Sequence, residues 1–197
     1  MKAEEKERLK MNTGTTEWQP QPNRENNLEI KVLDMHWVDE NNPNDKKDLC
    51  LHGKLFIRIG NEILSDFEDG SWTLSAASLF LLRTLKMDYN INDFENFLIP
   101  CCGYDMIAEE NEPFLVLGCA TGIEWTIQHT KDGFVKHISQ KGSEVKITEE
   151  EYRKIVFEFA DKVEQFYKDH PRILPADEFY LRGYNGFWRE WRKMRDE

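Results

Sequence analysis

Between residues 28 and 147 the apolar positions mostly recur at every second residue, the period of a strand with one face turned to a core. Leu28–Val38 reads as a first strand, and the polar stretch Asp39–Asp48, with Asn-Pro-Asn inside it, as a loop. In Cys50–Ile59, Leu51, Leu55, Ile57 and Ile59 fall on one face, while His52, Lys54 and Arg58 fall on the other. Gly60-Asn61 suits a two-residue hairpin into Glu62–Ser65. Ile99–Ala108 and Phe114–Leu117 are short strands. In the next, Ile123, Trp125, Ile127 and His129 alternate with Glu124, Thr126, Gln128 and Thr130. Asp132-Gly133 and Lys141-Gly142 mark turns between two further strands, so the pattern predicts an antiparallel meander.

Three segments break this period. In Trp72–Lys86, Leu74, Ala77, Leu81 and Leu85 have helical spacing and Phe80 and Leu82 widen the apolar face, which predicts a buried central helix. Thr148-Glu149-Glu150-Glu151 is a capping box. It opens a helix over Glu149–Lys168, with Tyr152, Ile155, Val156, Phe159, Val163, Phe166 and Tyr167 on one side and His170-Pro171 as its stop. That long amphipathic helix is expected to cross the meander with its apolar side on Trp125 and Ile127. A short C-terminal helix within Phe179–Glu197 lines up Phe187, Trp188 and Trp191. Helices that interrupt strands without regular alternation give an α+β class. Residues 1–27, polar and broken by Pro20 and Pro22, read as a flexible leader, and 28–197 as a single α+β domain.

Composition adds the class of molecule. The 197 residues are 40% hydrophobic and 12% aromatic, too apolar for a disordered chain, and long enough to bury a core without a metal or a disulfide. No apolar stretch at the N-terminus resembles an export signal. The most apolar run, Ala76–Leu82, is far below the ~20 residues of a membrane helix. These features predict a cytoplasmic protein with no membrane partner.

Charge narrows the partners. The net charge of −11 argues against nucleic acid, because phosphate contacts need a basic footprint. The imbalance is local: between Ile59 and Thr130, Arg83 and Lys86 are the only basic side chains among twelve acids. Such a field attracts basic proteins and speeds their capture, although acidic surfaces also simply aid solubility. Asp66, Glu68, Asp69, Glu109, Glu110 and Glu112 fall in loops and are the candidate partner-binding residues. The aromatic, arginine-containing C-terminus reads first as a helix docked on the core, and otherwise as a self-association surface.

Catalytic and metal chemistry finds little support. Cys50 and His52 share one strand face, and with Cys101, Cys102 and Cys119 they could outline a zinc site. Yet there is no Cys-x-x-Cys pair, and adjacent Cys101-Cys102 suit reduced, packed thiols better. A nucleophile triple of Cys102, His129 and Asp105 lacks any local signature, and His129 fits a hydrogen-bonded position at the core edge. Gly118–Gly122 lacks the Gly-Lys-Ser/Thr ending of a phosphate loop. No metal, no cofactor and no catalytic set is therefore expected.

Through Trp72–Leu85, Leu98–Gly103 and Gly122–His129 the chain resembles small bacterial proteins of unknown function and, more loosely, predicted immunity proteins of polymorphic-toxin systems. The similarity spans roughly residues 28–195 and carries no functional residue across. It implies an acidic cytoplasmic α+β domain that binds and blocks a cognate toxin. The expected function is thus a non-enzymatic protein-binding module, an immunity-type inhibitor occluding a basic toxin such as a nuclease. The alternative is a small metal- or thiol-dependent enzyme using Cys50/His52 or Cys101/Cys102.

Overall fold

The computed structural model describes residues 27–38, 46–91, 97–108, 114–118 and 121–196. Strand β1 (Leu28–His36) runs antiparallel to β2 (His52–Ile59), which turns through Gly60-Asn61 into β3 (Glu62–Ser65). Gly60 has φ +57°, a conformation that L side chains resist and that the two-residue turn requires. A two-residue strand, β4 (Trp72–Thr73), pairs with the start of β2 beside β3. Helix α1 (Leu74–Arg83) follows directly, and every residue from Leu74 to Leu82 is buried, including Ser75 and Ser78. It is the central helix that the apolar spacing predicts.

Strands β5 (Ile99–Pro100), β6 (Gly103–Ile107), β7 (Leu115–Gly118), β8 (Gly122–Ile123) and β9 (Thr126–His129) come next. They precede β10 (Phe134–Ile138), β11 (Glu144–Thr148), helix α2 (Glu149–Asp169) and helix α3 (Glu178–Asp196). Among the described residues the strands form four antiparallel sheets: β1-β2-β3 with β4, β11-β10-β9, β5-β8 and β6-β7. The class is α+β with antiparallel pairing, as the pattern predicts, but the strands are divided among small sheets. The division falls where the sequence shows one continuous alternation. Ile123 belongs to β8 and pairs with β5, whereas Ile127 belongs to β9 and pairs with β10. Between them the backbone of Glu124 and Trp125 leaves the strand; Trp125 is fully buried and donates its Nε1–H to His137 Nδ1 at 3.1 Å.

Thr148 caps α2 as expected. Its hydroxyl accepts from the Glu151 N–H at 3.1 Å, and the Glu151 carboxylate accepts from the Thr148 N–H at 3.0 Å. The buried side of α2 is Tyr152, Val156, Phe159, Ala160, Val163 and Tyr167, while Ile155 and Phe166 are only partly covered. Its main neighbours are α1 and β1, which corrects the expectation that it faces Trp125 and Ile127. The sheet of β9–β11 reaches α2 near its N-terminal end, where His137 meets the Tyr152 ring edge-on at 4.6 Å. Farther along, the Tyr167 hydroxyl donates to the Leu49 carbonyl at 2.6 Å and accepts from the Leu51 N–H at 3.2 Å.

Helix α3 is longer than predicted and is seated by two glycines. A Cβ on Gly183 would lie 1.7 Å from the Met106 carbonyl oxygen, and one on Gly186 would meet Ala108 and Phe114 at 2.9 Å. The helix backbone therefore lies directly on β6 and the residues after it. Phe187 and Trp191 enter the core, and Arg83 of α1 holds Glu190 through two hydrogen bonds of 2.7 and 3.0 Å.

Candidate functional site

The chain leaves β3 at Ser65 and returns to the sheet at Trp72. Ser65 closes the neck of this loop: its hydroxyl donates to the Leu55 carbonyl at 3.0 Å and accepts from Trp72 Nε1–H at the same distance. Inside the loop, Asp66 Oδ1 accepts from the Glu68 N–H at 2.9 Å and Asp69 Oδ2 accepts from the Asp66 N–H at 2.8 Å. Two of the acids singled out by sequence thus build their own turn, as short carboxylates commonly do. Glu68 and Asp69 stay exposed around Phe67, itself 54% exposed. Lys54 on β2 supports the ring from 4.0 Å and donates its ammonium to the Phe67 carbonyl at 2.8 Å.

Asp66, Glu68 and Asp69 are brought together by this turn, whereas Glu109, Glu110 and Glu112 lie outside the described residues. Other acids of the same acidic segment are tied to the body. Glu62 accepts from the Ser139 hydroxyl, Glu124 from the Tyr89 hydroxyl at 3.2 Å, and Asp88 from the His129 N–H at 2.7 Å. The acidic excess therefore has a structural part and a displayed part, and the turn carries the latter.

A second group of polar side chains adjoins the turn and escapes the sequence reading. In the first half of β1, Leu28, Ile30 and Val32 pair with Ile59, Ile57 and Leu55, while Glu29 and Lys31 pair with Arg58 and Phe56. A bulge between Val32 and Asp34 then shifts the register, so that Asp34 pairs with Lys54 and His36 with His52. Asp34 and His36 are thereby moved off the face of Val32 and onto that of Lys54 and His52. Their contacts follow from that placement. The Asp34 carboxylate lies 2.8 Å from His36 Nδ1, and His36 Nε2 lies 3.2 Å from the Ser71 hydroxyl at the end of the turn. The doublet Val32-Leu33, two apolar residues in succession, is the signal of the bulge in the sequence.

Arg58, on the face opposite Leu55, Ile57 and Ile59, is buried against Glu29, 3.1 Å away across the strand pair. A sheet covered on both faces must pair its charges, which is the arrangement found.

The cysteine and histidine candidates are occupied by the fold. Burial, with Asp48 and Asp105 adding to it, pushes the Cys50 thiol up to about 12, so it stays protonated and a poor nucleophile or ligand. His52 is buried beside it, its Nδ1 2.7 Å from the Cys50 carbonyl and its Nε2 3.2 Å from the Thr73 hydroxyl, and desolvation lowers its pKa. Cys101 departs from the expected reduced thiol, for it is disulfide-bonded; its N–H donates to the Thr121 carbonyl at 3.1 Å where β5 and β8 run side by side. Cys50 and Cys102 are free. His129 is the core-edge histidine expected, with Nε2 2.8 Å from the Thr84 carbonyl and Glu149 at 3.8 Å, and among the described residues it makes no contact with Cys102 or Asp105. No group of three or more His, Cys, Asp or Glu among the described residues is arranged to hold a metal ion, and no described helix is long and apolar enough to cross a membrane.

The chain matches no protein-family model, no curated protein and no solved structure.

Proposed function

We propose that this chain is a protein-binding module that works by occlusion, an immunity-type inhibitor whose acidic surface covers the cationic groove of a basic toxin such as a nuclease. The observation that carries the reading is the Asp66–Gly70 turn, which presents the exposed Phe67 ring inside a frame of Glu68 and Asp69. Interfaces commonly centre on aromatic side chains within a polar rim, and carboxylates steer a basic partner toward them. Hydrogen bonds within the turn fix the backbone before any partner arrives, so little ordering entropy opposes binding.

The test is capture from the native host with the full chain as bait, at low and at high salt, beside the double variant Phe67→Ala/Glu68→Lys. The expected result is a basic protein retained at low salt, released at high salt and lost with the variant. Its activity on nucleic acid should be blocked by the native chain alone. Failure to retain any basic protein at either salt, or equal retention by the variant, overturns the reading.

A further inference from the structure

Independently of that binding role, we propose that Ser71 is an activated nucleophile, with His36 as its general base and Asp34 as the group that orients His36, and that the site accepts acyl groups from small activated esters. The contacts run in the order such chemistry requires. Asp34 accepts from His36 Nδ1–H at 2.8 Å, which leaves Nε2 of the neutral ring as an acceptor, and the Ser71 hydroxyl donates to it at 3.2 Å. The alternative acceptor for that hydroxyl, the Gly53 carbonyl, is farther away at 3.5 Å.

The fold assembles these three residues by specific devices. The bulge in β1 carries Asp34 and His36 to the face of Lys54, and the capped turn delivers Ser71 to the same face, one residue before β4. Bulges recur beside functional sites because they re-aim side chains in this way. The neighbouring pair makes a useful comparison. His52 and Thr73 repeat the histidine–hydroxyl contact at 3.2 Å, but His52 is buried and its Nδ1 is engaged by a backbone carbonyl. His36 instead has a carboxylate partner, and its side chain is 27% exposed beside Asp34 at 49%, within reach of a small molecule from solvent.

The chemistry balances with an ester and water alone. Ser71 Oγ bonds to the acyl carbon while its proton passes to His36 Nε2, and the ester's oxygen leaves with that proton. Water then attacks the acyl-serine, giving one proton to His36, and Ser71 Oγ departs and takes it back. The groups that face His36 are Asp34 on its own strand, His52 and Lys54 on β2, and Ser71 at the end of the turn.

The experiment treats the full chain with a fluorophosphonate probe and, separately, with p-nitrophenyl acetate, and maps the labelled residue by peptide mass analysis. Single labelling at Ser71 is expected. Ser71→Ala should abolish labelling, and His36→Gln should slow it about 100-fold or more. Asp34→Asn, which loses the carboxylate that orients His36, should slow it by a smaller factor, and Asp34→Glu, which keeps a carboxylate, should slow it least. Far-UV circular dichroism of each variant establishes that it is folded, and the probe is also applied to native chain in urea. Ser71 modified no faster in the native than in the urea-unfolded chain overturns the proposal, as does labelling that is unchanged in folded His36→Gln.

Discussion

His137 lies wholly inside the protein and has one hydrogen-bond partner among the described residues, the Trp125 Nε1–H that its Nδ1 accepts. The proton of the neutral ring is therefore on Nε2. A second proton would place a charge in the core, so burial, and then the nearby His129, drive its pKa down to about 3. His52 is lowered as well, again chiefly by burial. Both groups bind a proton more readily in the unfolded chain, so stability is full above the ordinary histidine range near 6.5 and falls as pH drops below it. Asp132 and Glu151, both lowered by hydrogen bonds, add to the loss only at lower pH, below the ordinary carboxylate range. Denaturant unfolding followed between pH 6.5 and 4.5 should therefore show stability declining with acid. His137→Gln, whose amide oxygen can still accept from Trp125, should reduce that decline by about 1.4 kcal/mol per pH unit once the pH is well below 6.5. An unaltered slope would mean that His137 is charged in the folded protein.

Among the elements, α2 and the Asp66–Gly70 turn make opposite contributions. Phe159 is 2% exposed on the buried side of α2, and its replacement by Ala removes a ring from a packed interior. Chemical denaturation should give a loss of about 3–5 kcal/mol. Glu68→Gln, on the exposed turn, should change stability by less than about 0.5 kcal/mol. The helices were legible because each repeats its signal over several turns: a capping box and a long apolar stripe for α2, an unbroken apolar face for α1. Parity in the strands was not. One bulged residue in β1 exchanges the two faces, and a break at Glu124 and Trp125 divides one apparent strand between two sheets. Gly183 and Gly186, three apart in an aromatic helix, were the available sign that α3 rests on another backbone. The candidate site was half legible. Asp66, Glu68 and Asp69 announce themselves by charge within four residues, but Asp34, His36 and Ser71 meet only through the register of β1, β2 and β4.

At the scale of the whole molecule, the class and the acidic asymmetry follow from composition and period, whereas the division into four sheets depends on contacts between distant segments. Tyr167 is the clearest of these, since its hydroxyl joins the end of α2 to the residues entering β2, more than a hundred positions earlier. That span has a kinetic meaning. Closing a loop of this length costs about 4 kcal/mol of chain entropy before the contact returns anything. A bond that spans so much chain is expected to form after α2 and the β1–β2 pair have met, on the native side of the folding barrier. Contacts made late govern how fast the native state opens rather than how fast it is reached. Tyr167 thus acts as a latch, and Tyr167→Phe should raise the unfolding rate in stopped-flow experiments by several fold while leaving the folding rate nearly unchanged.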